Sequence, residues 1–209
     1  MGEREMSTEK TKNVLVETAG DMFIVCLESV KRRVNEAVND ISEDEYNWEP
    51  ISNSERSSDL HLPPDKKKVW RVFQKGGVWV YDYTPETLNR PPFTTIAWIM
   101  NHIAQTGDMY LYCVKTGKPE GVDRSWDDLP VYPECEQMGQ YIFQVLGETE
   151  AYLKALPDDQ IKTELNKLTP APWGEMRLNY KNIWGGIIGH AFEHAVQISA
   201  LKHRIRFGD

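Results

Sequence analysis

Four stretches of this 209-residue chain repeat apolar side chains every three or four positions, a period that admits little besides long amphipathic helices. In the first, Phe23, Leu27, Val30, Val34, Val38 and Ile41 mark one face. They predict a helix over roughly residues 10–41, closed by the polar sequence ISEDEYNWEP. The second follows Pro91 and Pro92, with Thr94 or Thr95 as its cap, and carries Ile96, Ile99, Ile103, Tyr110 and Val114 before Gly117 and Pro119 stop it. Met138, Ile142, Val145, Tyr152 and Leu156 mark the third, which Pro157 breaks. The fourth aligns Ile187, His190, Ala191, His194, Ile198, Leu201 and Ile205 along a single stripe. Polar connections separate all four. The expected fold is all-α, a four-helix bundle forming one domain over residues 1–209.

One stretch breaks that rhythm. VWRVFQKGGVWVYDY, residues 69–83, is dense in β-branched and aromatic residues around a KGG turn signal. A short β-hairpin is therefore predicted between the first two helices, within an inserted segment at about residues 52–90. It is too short to fold alone and has to pack on the bundle.

Composition narrows the partners. With 40% hydrophobic and 27% charged residues the chain reads as a soluble globular protein. No apolar run approaches the roughly 20 residues of a membrane span, and the opening MGEREMSTEK lacks the apolar centre of a signal peptide, so no membrane partner and a cytoplasmic location are expected. A net charge of −8 repels phosphate backbones, and the basic run at residues 66–68 is short, which argues against nucleic acid. Cys26, Cys113 and Cys135 are odd in number and scattered without C-x-x-C spacing, as expected of reduced, buried thiols.

The histidines raise the chemical question. His190 and His194, one helical turn apart on an apolar stripe, point inward, where buried imidazoles need partners. They are either hydrogen-bonded core residues or ligands of something held inside. His102 sits beside the stripe of the second helix, roughly 60° from Ile99 and 100° from Ile103, and can face the same interior. Three imidazoles from two helices would form a nitrogen site with one position open to water or substrate, suited to zinc, nickel, copper or ferrous iron. His61, in the polar loop DLHLPPDKKK, and His203, in a basic final turn where an imidazolium complements the helix dipole, have no such setting. Gln197, almost one turn beyond His194, is a candidate for holding a ring or a substrate, or else a polar residue at the bundle edge. Trp98, Gln105, Thr106 and Met109 share the side of His102 and either line a pocket or belong to the plain core. Gly185, Gly186 and Gly189 precede the pair, and three helical glycines signal close approach by another helix or by a ligand.

The same letters match a different motif. His190-Ala-Phe-Glu193-His194 is H-x-x-E-H, the inverted zinc-protease signature, whose glutamate activates a metal-bound water. A protease of the kind this motif resembles is a much larger chain with a further ligand well downstream, whereas only 15 residues follow His194. Glu193 also turns about 100° away from His194 on a helix. The protease reading is set aside.

His102 on the second long helix, H-x-x-x-H at His190 and His194 on the fourth, and Gln197 followed by Ile198 resemble the DinB/YfiT-like family of metal-binding four-helix proteins. Trp48 and Pro50 match the W-x-P often found after the first helix there. Two departures stand out: His194-Ala195-Val196-Gln197 replaces the frequent H-R-G-Q, and the segment at residues 52–90 is longer than the usual connection. The resemblance implies a divalent metal ion, zinc or nickel, held by His102, His190 and His194, with Gln197, Trp98 and Thr106 around it. In characterised branches it further implies a transfer or isomerisation that uses a low-molecular-weight thiol such as bacillithiol or mycothiol, read here as a metal-dependent S-transferase acting on an electrophilic substrate; with the aromatic-rich insertion it also points to a homodimer. A metal-dependent hydrolase and a metal-containing binding or stress-associated protein are the alternatives. No catalytic residue is assigned by the sequence.

Overall fold

The computed structural model describes residues 17–63, 66–82, 93–171 and 174–208. The expected helical start at residues 10–16, the hairpin's last residue Tyr83, and Pro91 and Pro92 lie outside the described residues.

Helix α1 (Ala19–Val38) opens on a reciprocal cap. Thr18 Oγ1 accepts from the Asp21 amide at 3.1 Å, while the Asp21 carboxylate accepts from the Thr18 amide at 2.8 Å, so two amides left over at the helix start are satisfied. The helix ends three residues before the predicted Ile41, because Asn39 turns extended and Asp40 takes a φ of +60°. Its last carbonyls are served from far along the chain. The Lys202 ammonium donates to Ala37 O at 3.0 Å, Asn39 O at 2.8 Å and Asp40 Oδ1 at 2.8 Å, a cation on the negative end of a helix.

The connection that follows holds more structure than a hairpin. Two short helices, α2 (Glu43–Tyr46) and α3 (Asn53–Asp59), precede strands β1 (Val69–Trp70), β2 (Val72–Lys75), β3 (Val78–Tyr81) and β4 (Phe93–Thr94). β2 and β3 form the predicted antiparallel hairpin, turning at Gly76 and Gly77 with φ of +60° and +85°, where a side chain would strain the backbone. β1 pairs with β4 in parallel, so the segment closes on itself just before α4 (Ile96–Thr116) begins. Of the two candidate caps it is Thr95 that caps α4, accepting from the Trp98 amide at 3.1 Å, and Gly117, at φ +67°, ends it as the sequence predicts. Next come α5 (Cys135–Ala155), α6 (Asp158–Leu165), and strands β5 (Leu168–Pro170) and β6 (Met176–Leu178), which pair antiparallel. The last helix begins with α7 (Asn179–Lys181), continues through a wider π-helical stretch over Asn182–Gly189, and becomes α8 (His190–Phe207).

The four long helices form the bundle, with α1 against α5 and α8, and α4 against α5, the π stretch and α8. α1 and α4, consecutive among the long helices, thus occupy opposite corners. The crossover connection over residues 39–95 therefore joins two helices that are not neighbours in the bundle. Leu27, Val34, Met100, Ile142, Ile187 and Ile198, at most 1% exposed, fill the centre, and burying each such side chain contributes about 1.5–3 kcal/mol. A Cβ on Gly186 would lie 2.8 Å from the Tyr110 ring, so here the π stretch and α4 approach as the glycine argument expects. Gly185 has only Arg177 Nη2, at 4.0 Å, near such a Cβ, and Gly189 faces the Trp184 carbonyl of its own helix at 3.1 Å. One glycine of the three therefore serves interhelical packing. Among the described residues no helix is long and apolar enough to cross a membrane.

Candidate metal centre

α4 and α8 meet where each presents histidine. His102 comes from the second turn of α4, while His190 and His194 stack along the start of α8. Although 88 residues apart in the chain, His102 Nε2 and His190 Nε2 lie 3.2 Å from each other, and His194 Nε2 lies 3.1 Å from His190 Nε2. One candidate ligand atom from each ring falls within 4.8 Å of the others. His194 is buried, whereas His102 and His190 keep part of their surface exposed, so the cluster is reachable from solvent.

These distances are hard to explain as hydrogen bonds alone. His194 Nδ1 lies 2.8 Å from Gln197 Oε1, a contact that requires the ring hydrogen on Nδ1 and leaves a lone pair on Nε2. His190 Nε2 can give its single hydrogen to that lone pair. It then has nothing to accept with from His102, the second nitrogen converging on it. A cation in the middle removes the conflict. Two nitrogens each about 2.0–2.1 Å from a tetrahedral ion would stand roughly 3.3–3.4 Å apart, close to the His102–His190 and His190–His194 spacings. The residues present therefore fit a divalent ion held through neutral imidazole.

The surroundings hold the rings in place. Trp98, one turn before His102, stacks on its ring at 4.7 Å between centroids and 25° between planes, and its indole N–H donates to the Asp82 carbonyl in the crossover. Thr106 Oγ1 approaches His102 Nδ1 at 3.4 Å, a weak contact. Gln105 instead donates to Pro130 O at 2.9 Å, and Met109 is fully buried core. Asn101 stands out as a residue missed by sequence reasoning. It is wholly buried, donates to Tyr132 O at 3.1 Å and accepts from the Tyr132 amide at 3.1 Å, fixing the α4–α5 connection beside the site. An asparagine directly before His102, among apolar neighbours, was the available signal. Glu193 is exposed and outside the cluster, as its helical phase implies, and so are His61 and His203.

Burial pushes the thiols of Cys113 and Cys135 up to about 11, so both stay protonated near neutral pH. All three cysteines are free, and none belongs to the histidine cluster.

A family model described as the DinB superfamily matches residues 27–198, a span that includes all three histidines. The chain belongs to the DinB superfamily. YfiT from Bacillus subtilis, described as a probable metal-dependent hydrolase with an unusual four-helix bundle topology, shares this fold. The two superimpose with a TM-score of 0.51 at 16% identity, covering 94% of this chain and 93% of that one. Comparison with curated proteins gives no match.

Proposed function

We propose that this DinB superfamily protein is a metal-dependent enzyme of the low-molecular-weight-thiol S-transferase type, with zinc or nickel held by His102, His190 and His194. The convergence of three Nε2 atoms, with His194 locked by Gln197 in the tautomer that offers a lone pair, carries the reading. Three neutral ligands leave a bound divalent ion its full charge, which lowers the pKa of a thiol in the remaining position and keeps it as the nucleophilic thiolate.

The chain's own residues do the positioning. Gln197 orients His194, Trp98 fixes the plane of His102, and the apolar walls of α4 and α8 limit water around the rings. A transferase of this kind takes its thiol from outside, in keeping with Cys113 and Cys135 being buried and protonated. Hydrolysis would call for a base to accept a proton from water. Among the described residues no carboxylate joins the histidine cluster, and Glu193 points to solvent.

The test is spectroscopic and kinetic. Protein made without a histidine tag should carry about one divalent ion per chain, and its cobalt-substituted form should change absorption when bacillithiol, mycothiol or cysteine is added. Thiol conjugation to an electrophile should then exceed background and disappear in His194→Ala. A metal-loaded protein that ignores every thiol but hydrolyses esters or amides would replace this reading with a hydrolase.

A further inference from the structure

We infer that the acceptor for the thiol is an electrophile with an uncharged or cationic aromatic body, seated in a cleft between the β2–β3 hairpin and the connection that leads into α5. The inference rests on the thiol-transfer reading of the histidine triad and adds to it the place and the class of the second substrate. The cleft has a volume of about 850 Å³, within the scale of ligand pockets. No histidine of the triad lines it, yet it begins one helical turn from one of them. Gln105, part of its wall, follows His102 by three positions on α4, which sets their Cβ atoms about 5–6 Å apart. On the hairpin side the Tyr81 ring packs on Trp98 at 6.1 Å between centroids, and Trp98 lies on His102 at 4.7 Å. A body seated there has one helical turn to cross to bring its reacting carbon to the triad.

Both walls are aromatic and both are fixed to α4. Alternation along β3 puts Trp79 and Tyr81 on one face, the face that meets Trp98, and Trp79 stays 40% exposed, so much of its indole is open to a ligand. The other wall comes from Trp126, at the start of a short helical turn (Trp126–Asp128), and from Leu129 and Val131 after it. That connection is pinned where it passes the helix. Gln105 donates to Pro130 O at 2.9 Å, and Arg124 makes two bonds to Asp108 at 2.9 and 2.6 Å. A pocket with walls held in this way selects by shape and charge.

Charge decides which aromatic body fits. Asp127 and Asp128 line the cleft, and no lysine, arginine or histidine does. The cations of the same connection are engaged elsewhere, Arg124 with Asp108 and Lys118 with Asp123. An anionic electrophile would meet two carboxylates without a counter-charge, whereas ring faces attract positive charge and stack on uncharged rings. The transfer itself is a displacement: the thiol proton goes to solvent, sulfur bonds to the electrophilic carbon, and a halide leaves with the electron pair of the broken bond.

The test separates the cleft from the chemistry. The meta isomer of dinitrobenzene keeps the ring of chlorodinitrobenzene and has no leaving group, so its binding is read from indole N–H chemical shifts in the full-length protein. It should bind with a Kd on the order of 1 mM and move the Trp79 and Trp126 signals, and dinitrobenzoate, the same ring with a negative charge, should bind about tenfold more weakly. Val131→Trp, which fills the cleft, should abolish binding, and Trp79→Ala should weaken it about fivefold while the cobalt-substituted protein still responds to thiol. Asp127→Lys should reduce the discrimination against dinitrobenzoate about threefold or more. His194→Ala should keep the ring bound and lose conjugation to chlorodinitrobenzene. Equal binding of the two rings, survival of binding in Val131→Trp, or unmoved Trp79 and Trp126 signals would overturn the inference even in a protein that transfers thiol. Ring binding in a metal-loaded protein that transfers no thiol would instead remove the acceptor role through failure of the transferase reading.

Discussion

The histidine triad and the charged network of the crossover are both polar clusters drawn from distant parts of the chain, yet they rest on different scaffolds. The triad stands on two long helices, where His190 and His194 are placed by helical period and His102 by its angle to Ile99 and Ile103. The network of Lys67, Arg71, Glu49, Asp59 and Asp82 stands on the end of one short helix and on irregular residues beside short strands, which only the fold of the crossover brings together. Each solves its burial problem differently. The triad's nitrogens converge so tightly that a cation suits them, whereas the network pairs nearly all of its charges internally. A regular element announces its inward residues in the sequence, and an irregular one conceals them.

The sharpest way to break this contrast is to remove one member from each cluster. His190→Ala should lower metal affinity on the order of 100-fold or more, since three ligands become two, while His61→Ala and His203→Ala leave metal content unchanged; elemental analysis and competition with a chelator measure both. If His190→Ala held its metal as tightly as the wild type, the triad would have no claim to be the centre.

Arg71→Met should act on the fold and spare metal stoichiometry. It leaves Asp59 in the interior without its cation, and Glu49 with Arg56 alone; loss of one partner of a buried ion pair costs about 3–5 kcal/mol, to be read from urea unfolding with the metal content of the folded fraction measured alongside. A loss below about 1 kcal/mol would mean that the network is as dispensable as a surface pair.

The gentlest change sharpens the comparison within the triad. Gln197→Leu leaves all three ligands in place and removes only the acceptor for His194 Nδ1, so metal affinity should fall about 10-fold with little change in unfolding free energy. Unaltered affinity would reduce Gln197 to a polar residue at the bundle edge.

The bundle was legible because its signals are local. Thr95 as a cap, Gly117 as a stop and the stripe through Ile187, Ala191 and Ile198 all follow from spacing within one helix, and the structure repeats them. The KGG turn was equally clear, since two adjacent positive φ angles call for glycine. The diagonal placement of α1 and α4 was not legible. A helical period says which face is buried and is silent on which neighbour buries it. The parallel pairing of β1 with β4 was hidden for a related reason: two residues per strand are too few for any alternation to show. The π stretch escaped because an i to i+5 winding differs from the α pattern by one residue per turn, and only the glycines hinted at it. Gln197 was visible as a candidate from its distance to His194, whereas Arg71 drew no notice inside a hairpin pattern that normally alternates apolar and polar side chains.

Lys202 ties the end of α1 to a point well along α8, the helix that supplies two of the three histidines. Helix ends ordinarily fray on their own, opening and closing without disturbing the rest of a domain. Here fraying of α8 uncovers the terminal carbonyls of α1, and fraying of α1 takes the acceptors from a largely buried ammonium. Opening of either end is thereby coupled to the other, and the helix bearing His190 and His194 is tied at its far end to α1.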